Sequence, residues 1–148
     1  MKRFQFSLER VLDWRSLQMR SAEEQLARLQ EQQAGLVHRE NALRAAELKA
    51  GMGLLKLPAM HGSDLQSLAA FQSRVRTERA ELQVALSRLQ AAIVQQRTRV
   101  LIARRDFRVL EKLREKRRQS WIYLSDREIE NAAAEAYLSR WARPDSLD

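Results

Sequence analysis

From Ser63 to Arg143 the chain contains neither glycine nor proline, and across that stretch apolar residues return at alternating intervals of three and four. Only a helix puts residues so spaced on one face, because its turn holds about 3.6 residues. The seam runs Leu65, Leu68, Gln72, Val75, Arg79, Leu82, Leu86, Leu89, Ile93, Gln96, Val100, Ala103, Phe107 and Leu110, and its phase continues through Arg114 and Arg117 to Trp121 and Leu124. A periodic run of this length without internal breakers belongs to a coiled coil rather than to a globular helix.

A second, shorter seam precedes it: Leu8, Leu12, Arg15, Met19, Ala22, Leu26, Leu29, Gln33, Leu36, Glu40 and Leu43. Ser7 stands where an N-cap hydroxyl would accept a first-turn N–H, Glu9 suits the positive helix end, and Phe6 and Val11 occupy the positions of a hydrophobic staple. Gly51-Met-Gly53 is expected to stop this helix, since glycine is a poor helix former and a ready C-cap. Leu54 to Gly62 contains Pro58 and reads as a turn whose Leu54, Leu55, Leu57 and Met60 cap the end of the coil. Ser63-Asp-Leu-Gln66 then reads as a capping box. The expectation is a single all-α domain over residues 1–148, a long antiparallel two-helix coiled-coil hairpin: helix about 7–50, turn 51–63, helix about 64–143, closed by Pro144 and a polar tail.

In an antiparallel pair, facing residues have numbers that add to a constant, and about 115 starts the second helix at the Ser63 box. That register sets Leu26 on Leu89, Leu29 on Leu86, Ala22 on Ile93, Leu12 on Ala103, Leu8 on Phe107 and Glu40 on Val75. A slip of one heptad, to about 122, also gives mostly apolar layers. In the first register everything from about Arg108 to Arg143 lacks a partner within the chain, a helical overhang of roughly 50 Å. A lone helix gains little stability in water, so such an overhang calls for another surface.

Lys and Arg number 27 against 19 Asp and Glu, and the excess is local: Arg97 to Arg118 holds ten basic residues and three acids. A segment so charged attracts acidic partners, whether nucleic acid, anionic lipid or protein. Arg114 and Arg117 sit at seam positions that a self-paired coil fills with apolar residues, which marks them, with Lys116, Trp121 and Leu124, as candidate partner contacts. The competing readings are a solvated helix face for the basic run and packing of Trp121 against residues 1–7 through Phe4 and Phe6. The chain has no cysteine, so disulfides and thiolate metal sites are excluded. His38 and His61 are isolated, and neither a Gly-rich phosphate loop nor a paired-carboxylate site can be assembled. No cofactor, metal or catalytic residue is expected, and the chain is read as non-enzymatic. No apolar run approaches the ~20 residues that span a bilayer. The opening Met-Lys-Arg-Phe-Gln-Phe-Ser has no apolar core of a secretory signal, so a cytoplasmic protein is expected.

The opening Phe4-Gln-Phe-Ser-Leu-Glu-Arg-Val-Leu-Asp-Trp-Arg15 resembles the start of the FliJ family of the bacterial flagellar type III export apparatus. Leu110-Glu-Lys-Leu-Arg-Glu-Lys116 with an aromatic at Trp121 is similar to that family too, as are the size and the loop position. The resemblance implies a stalk and escort protein of flagellum biogenesis and motility. Such a protein binds the hexameric export ATPase, promotes its assembly and activity, contacts the cytoplasmic domain of the export gate, and escorts empty export chaperones at the cytoplasmic face of the inner membrane. It also implies a gate-contact patch that maps here onto Phe71, Val75, Glu78 and Leu82, of which Glu78 is charged where the family often has a small residue. The free chain is then expected to be a monomer that binds no nucleic acid. Two other readings stand beside it: a basic helical hairpin on nucleic acid, and a structural coil that self-associates through its overhang.

Overall fold

The computed structural model describes residues 3–142, and among them two helices account for almost the whole chain: α1 (Glu9–Leu55) and α2 (Gly62–Trp141). They pack against each other as an all-α helical hairpin with no strand among the described residues. The expected seam is the packed face. Every named position from Leu8 to Leu43 is buried or half-buried, as is every one from Leu68 to Leu110. Leu65, Arg114, Arg117, Trp121 and Leu124 depart from it and are exposed, Leu65 and Leu124 at 53% and 61%. Pro144 and Arg143 lie outside the described residues.

The helix ends differ from expectation. Gly51 and Gly53 do not stop α1, which runs on to Leu55. Neither glycine has positive φ, so no left-handed cap forms. A glycine inside a helix costs only about 1 kcal/mol, which a packed seam outweighs. The end comes instead through tightened bonds, Lys56 N–H to the Gly53 carbonyl and Leu57 N–H to the Leu54 carbonyl, just before Pro58. At α2 the cap is displaced by two residues from the Ser63 box. His61 is the cap residue, its carbonyl accepting from the Asp64 N–H, while Asp64 Oδ2 accepts the His61 N–H at 3.0 Å. Of the expected tip cluster only Leu54 is half-buried; Leu55, Leu57 and Met60 are exposed.

Contacts divide the chain into two units, Met1–Gln18 with Ala103–Asp148, and Met19–Ile102. In the first, Arg15 pairs with Asp106 at 3.2 Å and Arg114 with Glu9 at 3.3 Å. In the second, Gln33 Nε2 donates to Gln90 Oε1 at 2.8 Å, Gln83 Nε2 to Glu40 Oε1 at 2.9 Å, and Gln96 Nε2 to the Ala22 carbonyl at 3.0 Å. Added together, the numbers of paired residues run from 117, for Arg39 with Glu78, to 126, for Arg79 with Glu47, and centre on about 122. The structure therefore takes the register one heptad away from the expected 115. The reason is polar. The rejected alignment sets the Glu40 carboxylate on Val75 and leaves Arg15 among apolar side chains, and a buried charge without a partner costs several kcal/mol. The adopted alignment gives each a partner.

Candidate partner-binding surfaces

In the unit built from Met1–Gln18 and Ala103–Asp148, the segment before α1 is clasped to α2. Phe6 is buried at 7% exposure, whereas its expected staple partner Val11 stays 41% exposed. The Arg117 guanidinium carbon lies 5.8 Å from the centre of the Phe6 ring, and Arg117 Nη1 donates to Ser7 Oγ at 2.9 Å. The rings of Phe4 and Trp121 meet at 5.9 Å between centroids, tilted by 54°. With the Glu9–Arg114 ion pair, this makes a run of contacts from Phe4 to Glu9 along one side of α2.

These contacts correct the expected overhang. The helix is not bare from Arg108 onward; Leu110 and Leu113 are half-buried, and Arg114, Arg117 and Trp121 all have partners in this chain. Three of the five residues proposed as outside contacts thus hold the N-terminal segment, and Trp121 packs on Phe4 as in the competing reading. Arg114 and Arg117 are tolerated on the seam because their long stems reach Glu9 and Ser7 at its rim. Lys116 and Leu124 are exposed. The clasp was legible only in the alternative register, where Glu9 and Arg114, and Arg15 and Asp106, fall opposite as acid and base.

Beyond Trp121 the described part of the unit is α2. Ile122, Tyr123, Leu124, Ile129, Tyr137, Leu138 and Trp141 all keep more than 40% of their surface in solvent. Next to this arm, Arg105, Arg108, Lys112, Lys116 and Arg118 form an exposed basic stretch.

In the unit Met19–Ile102, the expected gate patch divides. Val75 and Leu82 are core residues at 3% and 7% exposure. Phe71 is half-buried, and Glu78 is held by Arg39, whose Nε lies 2.9 Å from Glu78 Oε1. Only Phe71 and the Glu78 rim remain accessible, because the heptad that aligned the patch also turns Val75 and Leu82 inward. A shallow polar groove beside them is lined by Arg39, Arg74, Thr77 and Glu81. An apolar depression is lined by Gly35, Leu36, Ala85, Leu89 and Ala92. Near the turn, Leu48, Met52, Leu55, Leu57, Met60 and Leu65 are all exposed.

His38 and His61 are both exposed, and among the described residues no group of three or more His, Cys, Asp or Glu side chains converges. Among the described residues no helix is long and apolar enough to cross a membrane. Compared with protein-family models, with curated proteins and with solved structures, the chain matches none.

Proposed function

We propose that this chain is a non-enzymatic stalk and escort component of a flagellar type III export apparatus, which binds the export ATPase ring and promotes its assembly and activity. The observation that carries the reading is the meeting of two segments. The opening phrase Phe4–Arg15 and the segment Leu110–Trp121, which together bear the resemblance to the FliJ family, are one structural piece: Phe4 on Trp121, Phe6 and Ser7 under Arg117, Glu9 on Arg114. The residues of that shared pattern therefore have a common physical job, holding a basic helical stem from which the apolar arm of α2 continues.

On this reading the exposed basic side chains Arg108, Lys112, Lys116 and Arg118 and the arm beyond Trp121 meet the ATPase, with Leu124 among the apolar contacts. Arg114, Arg117 and Trp121 serve by fixing the clasp. Contact with the export gate falls to Phe71, with Val75 and Leu82 supporting it from the core. Escort of empty chaperones and peripheral association at the inner membrane belong to the same reading.

The test mixes the full chain with a flagellar export ATPase and measures ATP hydrolysis and hexamer formation. Stimulation of both is expected. Reversal of charge at Lys112, Lys116 and Arg118, none of which carries the clasp, is expected to weaken it and to make the residual effect less sensitive to salt. Absence of both binding and stimulation overturns the proposal.

A further inference from the structure

The last five turns of α2 carry an apolar stripe with no occupant among the described residues. Ile122, Ile129, Ala133, Tyr137 and Trp141 follow at intervals of seven, four, four and four, which keeps them on one side of the helix. All five are exposed, and Trp141 leans on Tyr137 with ring centroids 6.1 Å apart. Asp126 and Arg140 lie on the same side, one near each end of the stripe, and neither forms an ion pair or a hydrogen bond among the described residues.

From Asp126 to Arg140 the residues on this side are symmetric about Ala133, while Ile122 and Trp141 lie outside the symmetric part. Counting outward from it, Ile129 answers Tyr137 at four residues, and Asp126 answers Arg140 at seven. We infer that the occupant is a second copy of this chain, the two arms packing antiparallel about a two-fold axis through Ala133. That arrangement sets Ala133 on its own counterpart, each Ile129 against the other copy's Tyr137, and each Asp126 against the other copy's Arg140. A two-fold interface requires such self-complementarity, residue i meeting j wherever j meets i. Alanine at the crossing lets the helix axes approach to about 8 Å. A parallel pairing would set Asp126 on Asp126 and Arg140 on Arg140, and like charges directly opposed are repelled.

Neither the size nor the charge of the face suits a permanent dimer. Twenty helical residues span about 30 Å, and the arm from Ile122 to Trp141 holds four acids against two arginines. The dimer is therefore weak and reversible, with a dissociation constant on the order of 10–100 µM. The monomer expected from the sequence holds only below that range. Self-association of this kind goes beyond the proposed function and is measured on the chain alone, so the failure of either leaves the other standing. It also covers the arm that the functional reading needs bare, so a partner and a second copy compete for it.

Sedimentation equilibrium of the full chain, from about 5 to about 500 µM, reads the association directly. Concentration-dependent dimer is expected. Asp126→Arg alone and Arg140→Asp alone are each expected to weaken it at least tenfold, since each sets like charges together at both ends. An equimolar mixture of these two single variants is expected to restore association, because a mixed pair meets opposite charges at both ends. Far-UV circular dichroism should be unchanged, as both positions are exposed. A monomer at every concentration overturns the proposal, and so does a dimer indifferent to the single variants or one that mixing fails to restore.

Discussion

Arg117 donates from Nη1 to Ser7 Oγ at 2.9 Å while its guanidinium covers the ring of Phe6, so one side chain of α2 closes over the residues that precede α1. Phe6 is as deeply buried as Leu82 in the other unit. Phe6 and Ser7 are thus packed against α2 in the same unit.

Phe6→Ala is expected to release that segment without melting the hairpin. Truncating a buried phenylalanine removes about 3 kcal/mol or more in a closed core, but at a chain end the loss is confined to local opening. Amide exchange in the first turns of α1 should accelerate by tenfold or more, with the thermal midpoint moving by only a few degrees. Arg117→Ala should do the same more weakly, its contacts being solvent-exposed. A large global loss from Phe6→Ala would show that the clasp unfolds cooperatively with the hairpin rather than by local opening.

Glu40 is a carboxylate on the seam, 8% exposed, bonded by Gln83 at 2.9 Å and by Arg44 at 3.0 Å, with Arg79 Nη2 at 3.9 Å. Arg79 reaches Glu47 as well, at 3.6 Å, yet its Nε is buried without a partner. Glu40→Ala is expected to destabilise by about 1–3 kcal/mol, because it strips Arg79 and Gln83 of an acceptor. Replacing both seam charges, Glu40→Leu with Arg79→Leu, should recover that loss and add to it, since a polar layer is being exchanged for an apolar one. Urea unfolding with an unchanged slope measures both. A double variant no better than the single would mean the layer is worth more than its desolvation.

The seam itself was legible to within a residue, because a heptad pattern states which side of a helix is dry whatever lies across it. Leu12, Val75, Leu82, Ile93 and Val100 are buried as the spacing required. Register was not legible from the same pattern, since sliding by seven residues returns apolar to apolar. What chose was a minority of polar side chains, Arg15 with Asp106 and Glu40 with Gln83, whose partners exist in one alignment. The misplaced register then carried over to the candidate site, where a bare arm from Arg108 became a clasp up to Trp121 and a bare arm after it. Val75 and Leu82 belong both to the core seam and to the gate patch that the resemblance implies, and it is in the seam that they are buried.

Cross-linking can read the register in solution. The chain has no cysteine, so an introduced pair stands alone. Gln33→Cys with Gln90→Cys, whose native side chains touch at 2.8 Å, is expected to close rapidly with a short bis-maleimide. Gln33→Cys with Gln83→Cys, one heptad away, is expected to react little. Comparable closure of both pairs would mean that the hairpin slides between alignments, as happens where polar layers specify register weakly.

Gly35 offers the cleanest gain in stability. It lies inside α1, its φ is not positive, and a Cβ built on it meets nothing within 4 Å. Alanine there restricts the unfolded chain and adds a methyl to the apolar depression formed with Leu36, Ala85 and Leu89. Gly35→Ala should therefore stabilise by about 0.5–1 kcal/mol, raising the thermal midpoint by about 2–4 °C. Gly51→Ala should behave likewise, for its Cβ is equally unobstructed, but with a smaller effect because it sits nearer the helix end, where fraying already forfeits part of the constraint. Loss of stability at Gly35 would contradict the open space beside it and would place a third surface, such as another copy or a partner helix, against that face.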